Sequence, residues 1–197
     1  LERSPERAAA RVAVATAEDR LLVSQDSENS ASSIAGKNAN KKELERLAKE
    51  AHQLGLLKIK EGSFSAARIA FERSISYDDM DWKTWMLLGQ VELKLGNVAK
   101  GLESIQKAVL VAQKAKTRLT DQELGDLFYN QACAQSLNGK KREASSTLRS
   151  AFKVGDLATL VSNAQEDPDL EAIRDESDFK KVLADAKTKR DKRGSRP

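Results

Sequence analysis

The chain has 197 residues, enough to bury one sizeable core, and is 32% charged and 5% aromatic, a balance that favours helices with broad solvated faces over a β-sandwich. One cysteine, Cys133, excludes an intramolecular disulfide, and one histidine, His52, excludes a His-rich metal site within a single chain. The net charge of +4 resides in the last eleven residues, which contribute +5 through Lys187, Lys189, Arg190, Lys192, Arg193 and Arg196 against Asp191; a near-neutral body argues against a broad nucleic-acid face.

Residues 1–40 read as a mobile or partner-bound arm, since Ser24 to Asn40 offers almost nothing to bury. The Arg- and Ala-rich opening looks like an organelle-targeting segment, but Glu2, Glu6, Glu18 and Asp19 spoil the match. A start at Leu1 rather than Met suggests a processed form or a fragment. No apolar run approaches the ~20 residues needed to span a bilayer.

From Lys41, Leu44, Leu47, Ala51, Leu54 and Gly55 build one apolar helical stripe. It breaks at Glu61-Gly62-Ser63, resumes at Phe64 and stops at Tyr77-Asp78-Asp79, which predicts a helical hairpin. The hairpin then recurs. Gly55 and Gly89, Gly62 and Gly96, Phe71 and Ile105, and Ser74 and Ala108 are each 34 residues apart. A third copy follows a nine-residue insertion near Ala115 to Glu123, with its turn glycine, Gly139, lying 43 beyond Gly96. The repeats are expected at about 41–79, 82–118 and 120–153, together spanning 41–153. Small residues at helix crossings (Gly55, Gly89 and Ala132; Ala67, Gly101 and Ala144) admit close packing, and Trp85, Phe71, Ile105 and Leu148 fill the gaps between. Val154 to Asn163 and Phe179 to Ala186 suit an end cap that covers the last apolar face, so 154–186 are expected as capping helices and 187–197 as a basic tail.

Trp85-Met86-Leu87-Leu88-Gly89, followed by Gly96 and Ala108, resembles the tetratricopeptide-repeat (TPR) family signature. Phe128, Tyr129, Asn130, Ala132 and Cys133, with Gly139, Ala144 and Ala151, resemble the variant of terminal repeats. The departures are Glu92 where an aromatic is common and no proline closing the first two repeats. Asp167-Pro168-Asp169-Leu170 is similar to an end segment of plastid and bacterial TPR proteins. The resemblance implies an all-α, right-handed superhelix (an α-solenoid) of three helical hairpins with C-terminal capping helices.

It also implies a non-catalytic scaffold or assembly factor that holds another protein or peptide segment in a groove lined by the first helices. The groove slots are Lys49, His52, Gln53, Leu56 and Ile59; Lys83, Met86, Leu87, Gln90 and Leu93; and Asp126, Tyr129, Asn130 and Cys133. The family's carboxylate clamp would fall on His52, Leu56, Leu87, Asp126 and Asn130, which lack its positive charge, so a chaperone tail is not expected as partner. His52 has no acid nearby in sequence to orient it and reads as a polar groove residue; Cys133 reads as a buried thiol. Asp78-Asp79-Met80-Asp81 lacks the spacing of a calcium loop and reads as an inter-repeat turn. No catalytic residue, cofactor, metal or small-molecule substrate is expected. The specific process implied is assembly of photosynthetic complexes at the thylakoid in a plastid (chloroplast), with the cytoplasm as the alternative compartment. The alternative function is a permanent structural subunit of a large assembly, RNA-associated through the basic tail; among partners, that tail is expected to make peripheral contact with a membrane or RNA.

Overall fold

The computed structural model describes residues 41–114 and 119–194, with side chains through Asp191. The expected arm 1–40, residues 115–118 of the insertion and Arg196 lie outside the described residues. Two units divide the chain, the first ending at Arg46 and the second running from Leu47; the first described helix opens in the first unit, and the packing below is that of the second.

The described residues hold helices and no strand, and the chain is an all-α solenoid. Its helices are α1 Lys41–Lys60, α2 Phe64–Tyr77, α3 Trp82–Lys94, α4 Val98–Lys114, α5 Asp121–Leu137, α6 Lys141–Val154 and α7 Leu157–Glu166. A 3-10 turn, Pro168–Leu170, leads into the short α8, Glu171–Arg174, and the long α9, Ser177–Gly194. The pairs α1/α2, α3/α4 and α5/α6 are the three hairpins.

The same turn closes each hairpin. Gly62, Gly96 and Gly139 adopt φ of 73°, 81° and 72°, a left-handed conformation that L-residues enter only at a cost. After each glycine the next amide reaches back across the turn: Ser63 to Lys58 O, Asn97 to Glu92 O and Lys140 to Gln135 O, at 2.8 to 2.9 Å. These are Schellman closures that satisfy carbonyls at the helix ends. Starts are set by side chains. Asp81 accepts from the Lys83 amide at α3, and Thr120 and Glu123 form a reciprocal capping box at α5.

Within each hairpin the close approach depends on missing side chains. A Cβ on Gly55 would sit 2.5 Å from the Phe71 ring, and one on Gly89 would lie 2.5 Å from Ile105 and 2.9 Å from the Gly101 carbonyl. Ser74, on α2, donates to the Ala48 carbonyl of α1 at 2.8 Å, joining the first pair by a buried bond. Glu92, the residue in an aromatic slot, is buried and accepts from the Asn97 side chain at 2.7 Å.

The largest apolar cluster is at the C-terminal end. It joins Ala132, Cys133, Ala144, Leu148, Ala151 and Phe152 of the third hairpin to Leu160, Val161, Leu170, Ile173, Phe179 and Val182 of the end segment. Val154 ends α6 rather than opening a cap, because Gly155 is extended and Asp156 caps α7 through the Ala158 amide. The last helix continues as one element through Lys187, Lys189 and Arg190 to Gly194.

Candidate functional site

The first helices of the three hairpins are tied to one another by side chains, and these ties define the candidate face. Between α1 and α3, His52 Nδ1 lies 2.7 Å from Thr84 Oγ1, and the Thr84 hydroxyl donates to the Asp81 carboxylate. Since that hydroxyl gives its proton to Asp81, it accepts from His52, which fixes the imidazole proton on Nδ1. His52 also packs edge-on to Phe71, with ring centroids 5.8 Å apart. The acid that the local sequence does not supply is Asp81, whose carboxylate is 3.7 Å from His52. His52 is thus a half-buried link between repeats rather than an open groove residue.

Between α3 and α5 the ties run along the length of both helices. Lys83 Nζ is 2.9 Å from Glu123, Gln90 Nε2 donates to Asn130 Oδ1 at 2.7 Å, and Asn130 Nδ2 reaches the Asp126 carbonyl at 2.8 Å and the Met86 sulfur at 3.9 Å. The Lys83 ammonium, followed by the Thr120 cap, holds the Glu123 carboxyl below its ordinary value. Asp126 is pushed the other way, by partial burial and then by the charge of Asp156.

The expected groove residues therefore separate by role. Lys49 and Gln53 are exposed, and Met86, Leu87, Gln90 and Asn130 are half-buried, forming a mixed strip along α1, α3 and α5. Leu56 and Ile59 pack against the cluster around Phe71 and Leu88, while Leu93 packs on Gly101, Leu102 and Ile105. Tyr129 and Cys133 do not line an open groove: they are 8% and 5% exposed. The end segment covers them. The Tyr129 hydroxyl donates to Asp167 Oδ2 at 2.9 Å, and the Cys133 thiol lies 3.6 Å from the same oxygen.

Asp167 is the hub of this corner. Its second oxygen accepts from the Asp169 amide at 3.0 Å, and its carbonyl accepts from Arg174 at 2.9 Å. Burial, followed by the negative charge of Asp167, pushes the Cys133 thiol far above its ordinary value. The Tyr129 phenol is raised as well, chiefly by burial and then by its neighbours Cys133 and Asp167. Burial and Asp167 also raise Asp169, against the opposing charge of Lys94. Potential metal-ligand atoms of Cys133, Asp167 and Asp169 lie within 4.8 Å of one another, though no metal was expected from the sequence. Here the thiol and the tyrosine hydroxyl already share the Asp167 oxygen.

Sequence reasoning missed Thr84, Glu123 and Asp167 as linking residues. Thr120 with Glu123 three residues on was a readable capping signal; the reach of Glu123 to Lys83, across forty residues, was not.

Solved structures place this arrangement among known folds. MamA matches over 84% of this chain and 87% of its own, at 13% identity and a TM-score of 0.55. The fold is TPR-like. The N-terminal domain of stress-induced protein-1 (STI-1) from C. elegans also matches, over 73% of this chain and 97% of its own, at 17% identity and a TM-score of 0.45. No protein-family model matches the sequence, and no curated protein matches it either. In a TPR-like stack the first helices share one face, and here that face carries the Lys83–Glu123 and Gln90–Asn130 ties.

Proposed function

We propose that this chain is a non-catalytic interaction scaffold that holds a partner's peptide segment along α1, α3 and α5. The observation that carries this reading is that Lys49, Gln53, Met86, Gln90 and Asn130 are exposed or half-buried on the three first helices, with the Gln90–Asn130 amide pair beside the Met86 sulfur. Neutral hydrogen-bonding groups beside apolar surface suit a peptide backbone with a few anchoring side chains. The carboxylate clamp is a poor fit, because His52 and Leu56 are committed to packing and the other matching positions, Leu87, Asp126 and Asn130, carry no cation.

Asp167-Pro168-Asp169-Leu170 supports the finer reading, an assembly factor for photosynthetic complexes in a plastid, by resemblance alone. Immunolocalisation in the source cells tests that compartment directly.

The interaction reading is tested by selecting binders from a displayed random peptide library and mapping them by amide chemical-shift perturbation. Shifts are expected at Lys49, Gln53, Met86, Gln90 and Asn130. Met86→Glu should weaken the selected peptides at least tenfold. Because Met86 also touches the cluster around Ala108 and Leu127, the exposed substitution Gln53→Glu serves as a second variant, with a thermal melt to confirm folding. Shifts confined to the second helices, or unchanged affinity in both folded variants, would overturn the proposal.

A further inference from the structure

The third hairpin and the final helix meet along a seam that the sequence does not announce. Arg149 and Lys153 lie one turn apart on α6, and Asp185 and Lys189 lie one turn apart on α9. Together with Phe152, Val182 and Ala186 they line a small cavity of about 90 Å³. The apolar members form its buried floor, while Arg149, Lys153 and Lys189 are exposed. No ion pair is formed by these three cations among the described residues. Neighbouring charges behave differently, since Lys141 pairs with Glu176 at 2.7 Å and Lys180 with Asp175 at 3.1 Å. Three cations thus surround one acid, Asp185, over a concave floor.

We propose that this seam is a second docking surface, separate from the first-helix face, and that it takes an acidic, extended peptide segment. Three observations choose that occupant. First, three exposed cations, Arg149, Lys153 and Lys189, stand against a single acid, Asp185, around this cavity, a charge balance that favours an anionic occupant. Second, Arg149 and Lys153 are separated along α6 by roughly 6 Å of helical rise. Alternate side chains of an extended strand are spaced at about 6.6 Å, so acids at every second position can meet successive cations. Third, the large exposed apolar side chains of the described residues are Leu57, Met80, Leu110 and Leu137. None lies on this seam, which therefore offers neither an aromatic platform for bases nor an apolar wedge for a bilayer.

The basic character extends the +5 of the last eleven residues onto a folded surface, because Lys189 belongs both to that tail and to this cavity. The acid attracted here is held by charge over a short range, so binding must fall with salt.

The test uses the full 197-residue chain and a fluorescein-labelled twelve-residue peptide of alternating Glu and Ala, read by anisotropy. Affinity is expected to fall at least tenfold in Arg149→Glu/Lys153→Glu, and at least fivefold in Lys189→Glu. These positions are exposed, and unchanged helical circular dichroism confirms that the variants fold. Lys49→Glu, on the first-helix face, should leave the affinity within twofold, so failure of this proposal is distinguishable from failure of the groove. Absence of binding at low salt, or equal weakening by Lys49→Glu, overturns the seam. Tighter, seam-dependent binding to a twelve-nucleotide single-stranded RNA or to phosphatidylserine vesicles overturns the acidic peptide as its occupant.

Discussion

At the scale of single residues, the corner of Tyr129, Cys133 and Asp167 shows how an end segment can be fixed by one carboxylate. Asp167 accepts from a hydroxyl and lies within reach of a thiol, both belonging to the helix it covers. Burial dominates the upward displacement of both Cys133 and Tyr129, so the thiolate and phenolate forms are disfavoured in the folded chain. A group whose folded value is raised stabilises the fold below its unfolded value and loses that contribution as pH climbs. With ordinary values of 9.0 and 10.0, stability should be flat through neutrality and fall increasingly above pH 9. Chemical melts from pH 7 to 11 check this, and Tyr129→Phe should soften the alkaline fall. At neutral pH the same substitution removes one hydrogen bond and should cost about 1 kcal/mol. Cys133 should react with a thiol reagent at pH 8 far more slowly in the native chain than in urea.

Helices and turns were the most legible scale, and the reason is repetition. Gly62 and Gly96 mark turns 34 residues apart, and the φ near +75° shared by all three turn glycines shows why that residue recurs. No heavy atom lies within 4 Å of a Cβ at Gly62, so Gly62→Ala isolates the backbone cost. It should destabilise the chain by ~1–2 kcal/mol, measured by urea denaturation. Gly125 was not legible, although it is the tightest approach among the described glycines. A Cβ there would collide with the Gly155 backbone, so α5 touches the junction of α6 and α7 through two residues without side chains. That pairing joins the third hairpin to the start of the end segment, outside the 34-residue period, and a search for period cannot reveal it. Gly125→Ala must displace backbone rather than a flexible side chain and should cost about 1–3 kcal/mol. In the same way, the small slot at Gly89 was readable from spacing, whereas the Thr84 bridge to His52 depended on how two repeats stack. The burial of Tyr129 also escaped the sequence, because the position opens onto the groove in a repeat followed by another repeat. Here a non-repeat segment follows instead.

For the whole molecule, the position of that segment decides where stability is concentrated. Solenoid units gain stability from their neighbours, and a terminal unit needs a partner for its outer apolar face. Among the described residues, the last hairpin and the end segment share a cluster of sixteen buried residues, whereas the clusters around Phe71, Ala108 and Ile105 contain four, four and three. The slowest amide exchange is therefore expected in α5, α6 and α9, and faster exchange in α1 and α2. Local opening follows the density of buried apolar contacts. Leu170 tests the dependence directly. It is fully buried, sits beside the Asp167 hub and belongs to no repeat. Leu170→Ala should cost roughly 2–5 kcal/mol. Its effect on exchange should also be local to the C-terminal half, accelerating amides in residues 121–194 while α1 to α4 keep their wild-type rates. Uniform acceleration along the chain would mean that the array opens as a single block and that the end segment supports every repeat equally. A graded response would place its support on the third hairpin, where the buried surface is.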